Sequence, residues 1–276
     1  MLLWSLVAGT LWWNHPVLVG ALLVLFGAAA TREYLAMLQA DGLLRKSLAH
    51  GALVIGTGHL LAVMLISLQG ESPAGFWVDS ITLCGAAILG LSVMVLAFSL
   101  EEKTLREITA ALLGIIYVPI LFAFAIRIYF LGGQSGIAAG GVPLLLLLIA
   151  VTKTNDMSAY LVGTAIGKHK MIPRVSPGKT WEGFIGSLII TILMAVGIIH
   201  LAGEHLAPMT VFDGVVLGLL LALFSVLGDL SASALKRCLR AKDSGHSLPG
   251  IGGILDLIDS LLFTGPVLYL YLMLVS

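Results

Sequence analysis

Residues 143–160 read PLLLLLIAVTKTNDMSAY, an apolar run from Pro143 to Val151 that gives way to Thr152, Lys153, Thr154, Asn155 and Asp156. Extended to residues 139–163, the stretch is long enough to cross a bilayer, which takes about 20 mainly apolar residues. A charged side chain in such a span costs at least about 2.5–3.5 kcal/mol, so Lys153 and Asp156 need a partner or a water-filled cavity. At about 1.5 Å per residue Asp156 lies about 25 Å down from residue 139. Lys153, Asp156 and Tyr160, spaced i, i+3, i+7, share one helix face that should point inward. A Lys153–Asp156 pair that merely neutralises itself is the simpler account of that face.

The rest of the chain agrees with a membrane setting. Of 276 residues 59% are hydrophobic and only 11% charged, with a mean hydropathy of +1.05. A soluble domain carries about a quarter charged residues, so the composition predicts an all-α, polytopic integral membrane protein. Apolar windows give eight spans, near 16–31, 48–69, 77–100, 108–130, 139–163, 183–203, 211–232 and 257–275, and their limits leave room for a ninth. Residues 1–13 are too short to cross upright and lack a basic n-region, which predicts an interfacial or re-entrant lead-in instead of a signal peptide. Without repeats or low-complexity segments, a single transmembrane domain is expected over 1–276. Its N-terminal helices would fill 1–135, and the helices and loops carrying the site 136–276. Gly163/Gly167 and Gly214/Gly218 read as close helix packing.

Fifteen basic residues balance fifteen acidic ones, which gives no bulk field for nucleic acid. Two cysteines, Cys84 and Cys238, make neither a disulfide framework nor a cysteine metal cluster. Lys and Arg gather on the cytoplasmic side of membrane proteins. Here Arg32, Arg45 and Lys46 follow span one, Lys103 and Arg106 follow span three, and Lys168, Lys170, Arg174 and Lys179 follow span five. Lys236, Arg237, Arg240 and Lys242 follow span seven, while the loops near 70–76, 131–138 and 204–210 hold none. Both termini should therefore lie outside, with loops five and seven in the cytoplasm. Arg127, at the outer end of span four, reads as a snorkelling anchor.

Carboxylates gather at that cytoplasmic side. Asp229 closes span seven in Gly228-Asp229-Leu230, and Asp256 and Asp259, three apart, share a face at the start of span eight. Together with Asp156, acids crowded at one depth repel one another unless cations neutralise them. A hard divalent cation, most economically Mg²⁺, is expected on Asp229, Asp256 and Asp259; the simpler account is that Asp256 and Asp259 favour the dipole of span eight. Loop seven supplies basic groups and then a Gly/Ser-rich segment, the parts needed for a metal-bridged polyphosphate. Loop five places Lys179 and Thr180 at a helix N-terminus, where exposed N–H groups favour phosphate. Positive-inside topology and anionic headgroups account for the same basic residues more simply. Among the histidines His246, in loop seven, could donate to a phosphate, while the others read as structural or interfacial.

Residues 233–259, SALKRCLRAKDSGHSLPGIGGILDLID, resemble the signature of the phosphatidate cytidylyltransferases, or CDP-diacylglycerol synthases. Asp156-x2-Ala159-Tyr160-x2-Gly163, Ser176 to Gly183, and Gly228-Asp229-Leu230 support the resemblance in family order, and Glu33-Tyr34 stands where the family often has an acidic-aromatic pair. Ile251 and Leu257 depart from the family's usual His and Arg. The resemblance implies transfer of a cytidylyl group from CTP to phosphatidate, giving CDP-diacylglycerol and pyrophosphate. Asp229, Asp256, Asp259 and Lys236 would be catalytic, the three aspartates holding Mg²⁺. Arg237, Lys242, Asp243, Lys179, Thr180, Ser176, Asp156 and Tyr160 would bind substrate, Asp156 completing the cavity wall or a second cation site. It also implies a homodimer. The short loops and absent targeting segment point to a bacterial inner membrane with the site facing the cytoplasm. A CTP-dependent lipid kinase, a cytidylyltransferase for another lipid phosphate and, more remotely, a cation-coupled transporter are the competing readings.

Overall fold

In the computed structural model, residues 2–70, 74–96, 101–132, 140–241, 243–245, 247 and 252–275 are described. Their helices are α1 (Leu2–Trp13), α2 (Pro16–Ala40), α3 (Lys46–Leu68), α4 (Ala74–Leu96), α5 (Glu102–Ile115), α6 (Leu121–Leu131), α7 (Gly141–Ile166), α8 (Trp181–Ala202), α9 (Val211–Cys238) and α10 (Ile254–Val275). Among the described residues eight segments are long and apolar enough to cross a membrane, α8 being counted with the short 3-10 turn that follows it. They fall where the eight apolar windows do. One span, Glu102–Leu131, is built from α5, a π-helical turn at Ile116–Ile120 and α6. Pro119 in that turn has no N–H to donate, and the wider π turn accommodates it without ending the span.

The chain divides into two compact units, Met1–Arg127 with Leu239–Leu257 and Ile128–Cys238 with Ile258–Ser276. In the first, α2 packs on α3 and both meet the π turn, where the rings of Tyr34 and Tyr117 lie 5.8 Å apart. Arg127 is 5% exposed and donates to Asp79 of α4 at 2.8 Å, with His59 of α3 3.2 Å from the same carboxylate oxygen. The snorkelling reading of Arg127 is therefore wrong: a half-buried carboxylate on a neighbouring span gives the buried guanidinium a partner inside the protein, which sequence spacing could not show.

In the second unit α7, α8 and α9 pack side by side. A Cβ on Gly218 would stand 2.6 Å from the Cα of Ile192, and one on Gly214 2.9 Å from the Cα of Val196. The glycine pair is thus what lets α9 lie against the backbone of α8, as small residues do between membrane helices. Loop five adds a small antiparallel sheet of β1 (Lys170–Ile172) and β2 (Ser176–Thr180), pairing Lys170 with Thr180. The apolar pattern gave no hint of it. Lys236 and Arg237, expected in loop seven, instead form the last turn of α9. No Gly or Pro interrupts the chain there, and basic groups suit the negative end of the helix dipole.

Candidate active site

Between α7, the β-hairpin, α8 and α9 the second unit encloses a cavity of about 460 Å³. Asp156, Tyr160 and Gly163 come from α7, Ser176, Lys179 and Thr180 from β2, and Asp229 from α9. Five residues singled out for substrate in the sequence thus line one cavity together with one of the expected metal ligands. Thr180 caps α8, its hydroxyl accepting from the Gly183 N–H at 3.1 Å, so β2 runs into the helix without a loose joint. Glu182 fastens the other end of the loop, accepting from the backbone N–H of Lys168 and His169 and meeting His169 Nδ1 at 2.6 Å. The hairpin carrying Lys179 is held at both ends by the first turn of α8.

Charge inside this unit is arranged in pairs. Lys153 donates to Asp156 at 3.1 Å, and Lys179 meets Asp229 at 2.7 Å, so the Lys153–Asp156 pair suggested by their spacing is present. Asp156 accepts further hydrogen bonds from Ser225 of α9 at 2.9 Å and Ser260 of α10 at 3.1 Å. Asp259 is 6% exposed, accepts from the Ser260 backbone N–H at 2.7 Å, and feels the charges of Asp229, Lys153 and Asp156. Ser225 and Ser260 were missed in the sequence because a hydroxyl in an apolar run is unremarkable. Their signal was positional: Ser225 stands one turn before Asp229 on α9, and Ser260 directly follows Asp259.

The remaining candidates lie elsewhere. Lys236 and Arg237 end α9 in the second unit. In the first unit Asp256 accepts from the Ser244 N–H and hydroxyl, each at 2.9 Å, and from the Gly253 N–H at 3.1 Å. Glu33 of α2, 7% exposed, accepts from the Leu255 N–H at 2.8 Å and the Ser244 hydroxyl at 3.3 Å. It thereby joins Ser244, next to the exposed Asp243, to the start of α10. Lys242, His246 and Ile251 lie outside the described residues. Among the described residues no three His, Cys, Asp or Glu side chains are grouped so as to hold a metal ion. The donor chemistry in the second unit nonetheless fits a hard cation: Asp156, Asp229 and Asp259 offer oxygen only, three carboxylates against two lysines. Mg²⁺ in particular binds through one or two carboxylates, several waters and substrate phosphates.

A family model described as "Cytidylyltransferase family" matches residues 1–275. The chain belongs to the cytidylyltransferase family. Over 218 residues this cytidylyltransferase is 33% identical to the phosphatidate cytidylyltransferase of Staphylococcus haemolyticus (strain JCSC1435), a match covering 78% of each protein. It is 35% identical to that of Staphylococcus aureus (strain COL), with the same coverage. A stretch of 133 residues is 46% identical to the uncharacterized protein YnbB of Escherichia coli (strain K12), covering 48% of this chain and 43% of YnbB. The family match runs through both units, including the α1 to α6 region where the sequence motifs were sparse.

Proposed function

We propose that the protein transfers the cytidylyl group of CTP to phosphatidate at the membrane surface. An oxygen of the lipid phosphate attacks the α-phosphorus of CTP, the bond from that phosphorus to the β-phosphate bridging oxygen breaks, and pyrophosphate leaves. Atoms and charge balance without an added oxidant or proton donor. The observation that carries the reading is the cavity lined by Lys179, Thr180 and Ser176 of the hairpin together with Asp156 and Asp229. Two anions must come within bonding distance, so the step depends on charge neutralisation and positioning.

Lys179, with Lys170 on the same cavity wall, would face the nucleotide phosphates. Ser176 would donate to them, while Thr180 keeps the hairpin in register with α8. Tyr160, 71% exposed, would border the lipid headgroup. Asp229 and Asp259 would hold a divalent cation, for which Mg²⁺ is proposed, with Asp156 as wall or second cation ligand. When bound, that ion supplies positive charge shared by the phosphates. Asp256, Asp243, Lys236, Arg237 and Lys242 are assigned to the same chemistry on the signature alone, Asp256 as a further ligand and the others toward phosphates. The distribution of Lys and Arg supports a cytoplasmic site, a bacterial inner membrane is the setting proposed, and a homodimer rests on the resemblance.

The test is transfer of label from CTP labelled at the α-phosphate to phosphatidate by the purified protein. Lipid-bound label that requires Mg²⁺ and disappears in Asp259→Asn is the expected result. Label reaching the lipid only from the γ-phosphate would make the protein a kinase and overturn the proposal.

A further inference from the structure

Asp156 and Asp229 each meet a lysine at the wall of one cavity, but the two pairs are built differently. Lys153 and Asp156 stand three residues apart on α7, a local pair set by helix geometry. Lys179 reaches Asp229 from a different element, β2, with 20% of its side chain and 34% of the aspartate's exposed. Both residues line the cavity. An ammonium is a compact charge on a four-carbon stem with rotatable donors, so a turn about that stem carries it from a carboxylate to a nearby phosphate. A divalent cation approaching Asp229 would meet this ammonium at contact distance, where like charges in a poorly screened site repel.

We propose that Lys179 and the divalent cation compete for Asp229, and that nucleotide phosphates resolve the competition by drawing Lys179 into the cavity. The inference rests on the cytidylyl-transfer reading and adds an order to it. The cation binds Asp229 weakly alone and firmly with nucleotide, and by linkage it strengthens nucleotide binding by the same factor. Lys179 would then be more than a phosphate ligand: it keeps Asp229 from taking a cation before CTP arrives.

The experiment measures Mn²⁺ binding to the full-length protein in detergent from the free-ion electron paramagnetic resonance signal. It is done with and without a CTP analogue whose α–β bridge is a methylene. Lys179→Met removes the competitor and should bind Mn²⁺ about tenfold tighter than wild type without nucleotide, within the usual range of coupling between sites. The analogue should then strengthen Mn²⁺ binding less in this variant than in wild type. Lys179→Arg, whose guanidinium grips a carboxylate at two points, should bind Mn²⁺ more weakly than wild type. Asp229→Asn should bind weakly whatever stands at position 179. Unchanged Mn²⁺ affinity in both Lys179 variants, or a loss in both, overturns the competition and leaves Lys179 as an anchor for the hairpin. An active wild type with that result retains cytidylyl transfer, whereas a wild type that forms no cytidylylated lipid overturns the earlier reading whatever the Mn²⁺ data.

Discussion

Asp229 joins the two charge systems of the second unit, touching Lys179 directly and lying within electrostatic range of Asp259. Asp229→Asn keeps the shape and removes the charge, and should lower kcat by roughly 100-fold or more, the usual cost of losing a group aimed at transition-state charge. A label-transfer assay with CTP and phosphatidate reads this. Thr180 acts by a different route. Thr180→Ala removes the α8 cap and should cost about 1 kcal/mol of stability, visible as a lower melting temperature in detergent and restored by Thr180→Ser. At this scale the sequence was readable where a residue broke its surroundings. Asp156, Asp229 and Asp259 are charges in apolar runs, and a charge there demands a reason. Ser225 and Ser260 break nothing, so their hydrogen bonds to Asp156 needed coordinates.

Helices announced themselves through length and apolarity, and all eight spans were legible for that reason. Their ends were less so, because Arg32 and Lys236 to Arg237 read as loop yet lie inside α2 and α9. The hairpin of loop five was invisible, since three- and five-residue strands leave too few positions for a pattern of period two. How it is tied down follows from Glu182. Glu182→Gln weakens its acceptance from the Lys168 and His169 N–H groups and should raise the KM for CTP more than it lowers kcat, which steady-state kinetics would show. Helix packing gives a paired prediction. Gly218→Leu pushes a side chain into the backbone of α8 and should lower the melting temperature, while Gly197→Leu, with nothing within 4 Å of the new Cβ, should leave it nearly unchanged.

Across the whole chain, stability depends on groups that meet only after folding. Arg127→Met removes the guanidinium partner of Asp79 in the first unit and should destabilise the protein by about 3 kcal/mol, whereas Asp79→Leu with Arg127→Met should recover most of that; thermal unfolding in detergent measures both. Such pairings are what a sequence hides: Arg127 lies 48 residues from its partner, and nothing local marks either as belonging to the other. Glu33 carries the same point into biogenesis. Its acceptor oxygen waits for the N–H of Leu255, 222 positions later. A ribosome will thus have made seven of the eight spans before that buried carboxylate meets its donor, and insertion and folding become separate events in time. Until then α2 can pack on α3 and the π turn but lacks its contact with the start of α10.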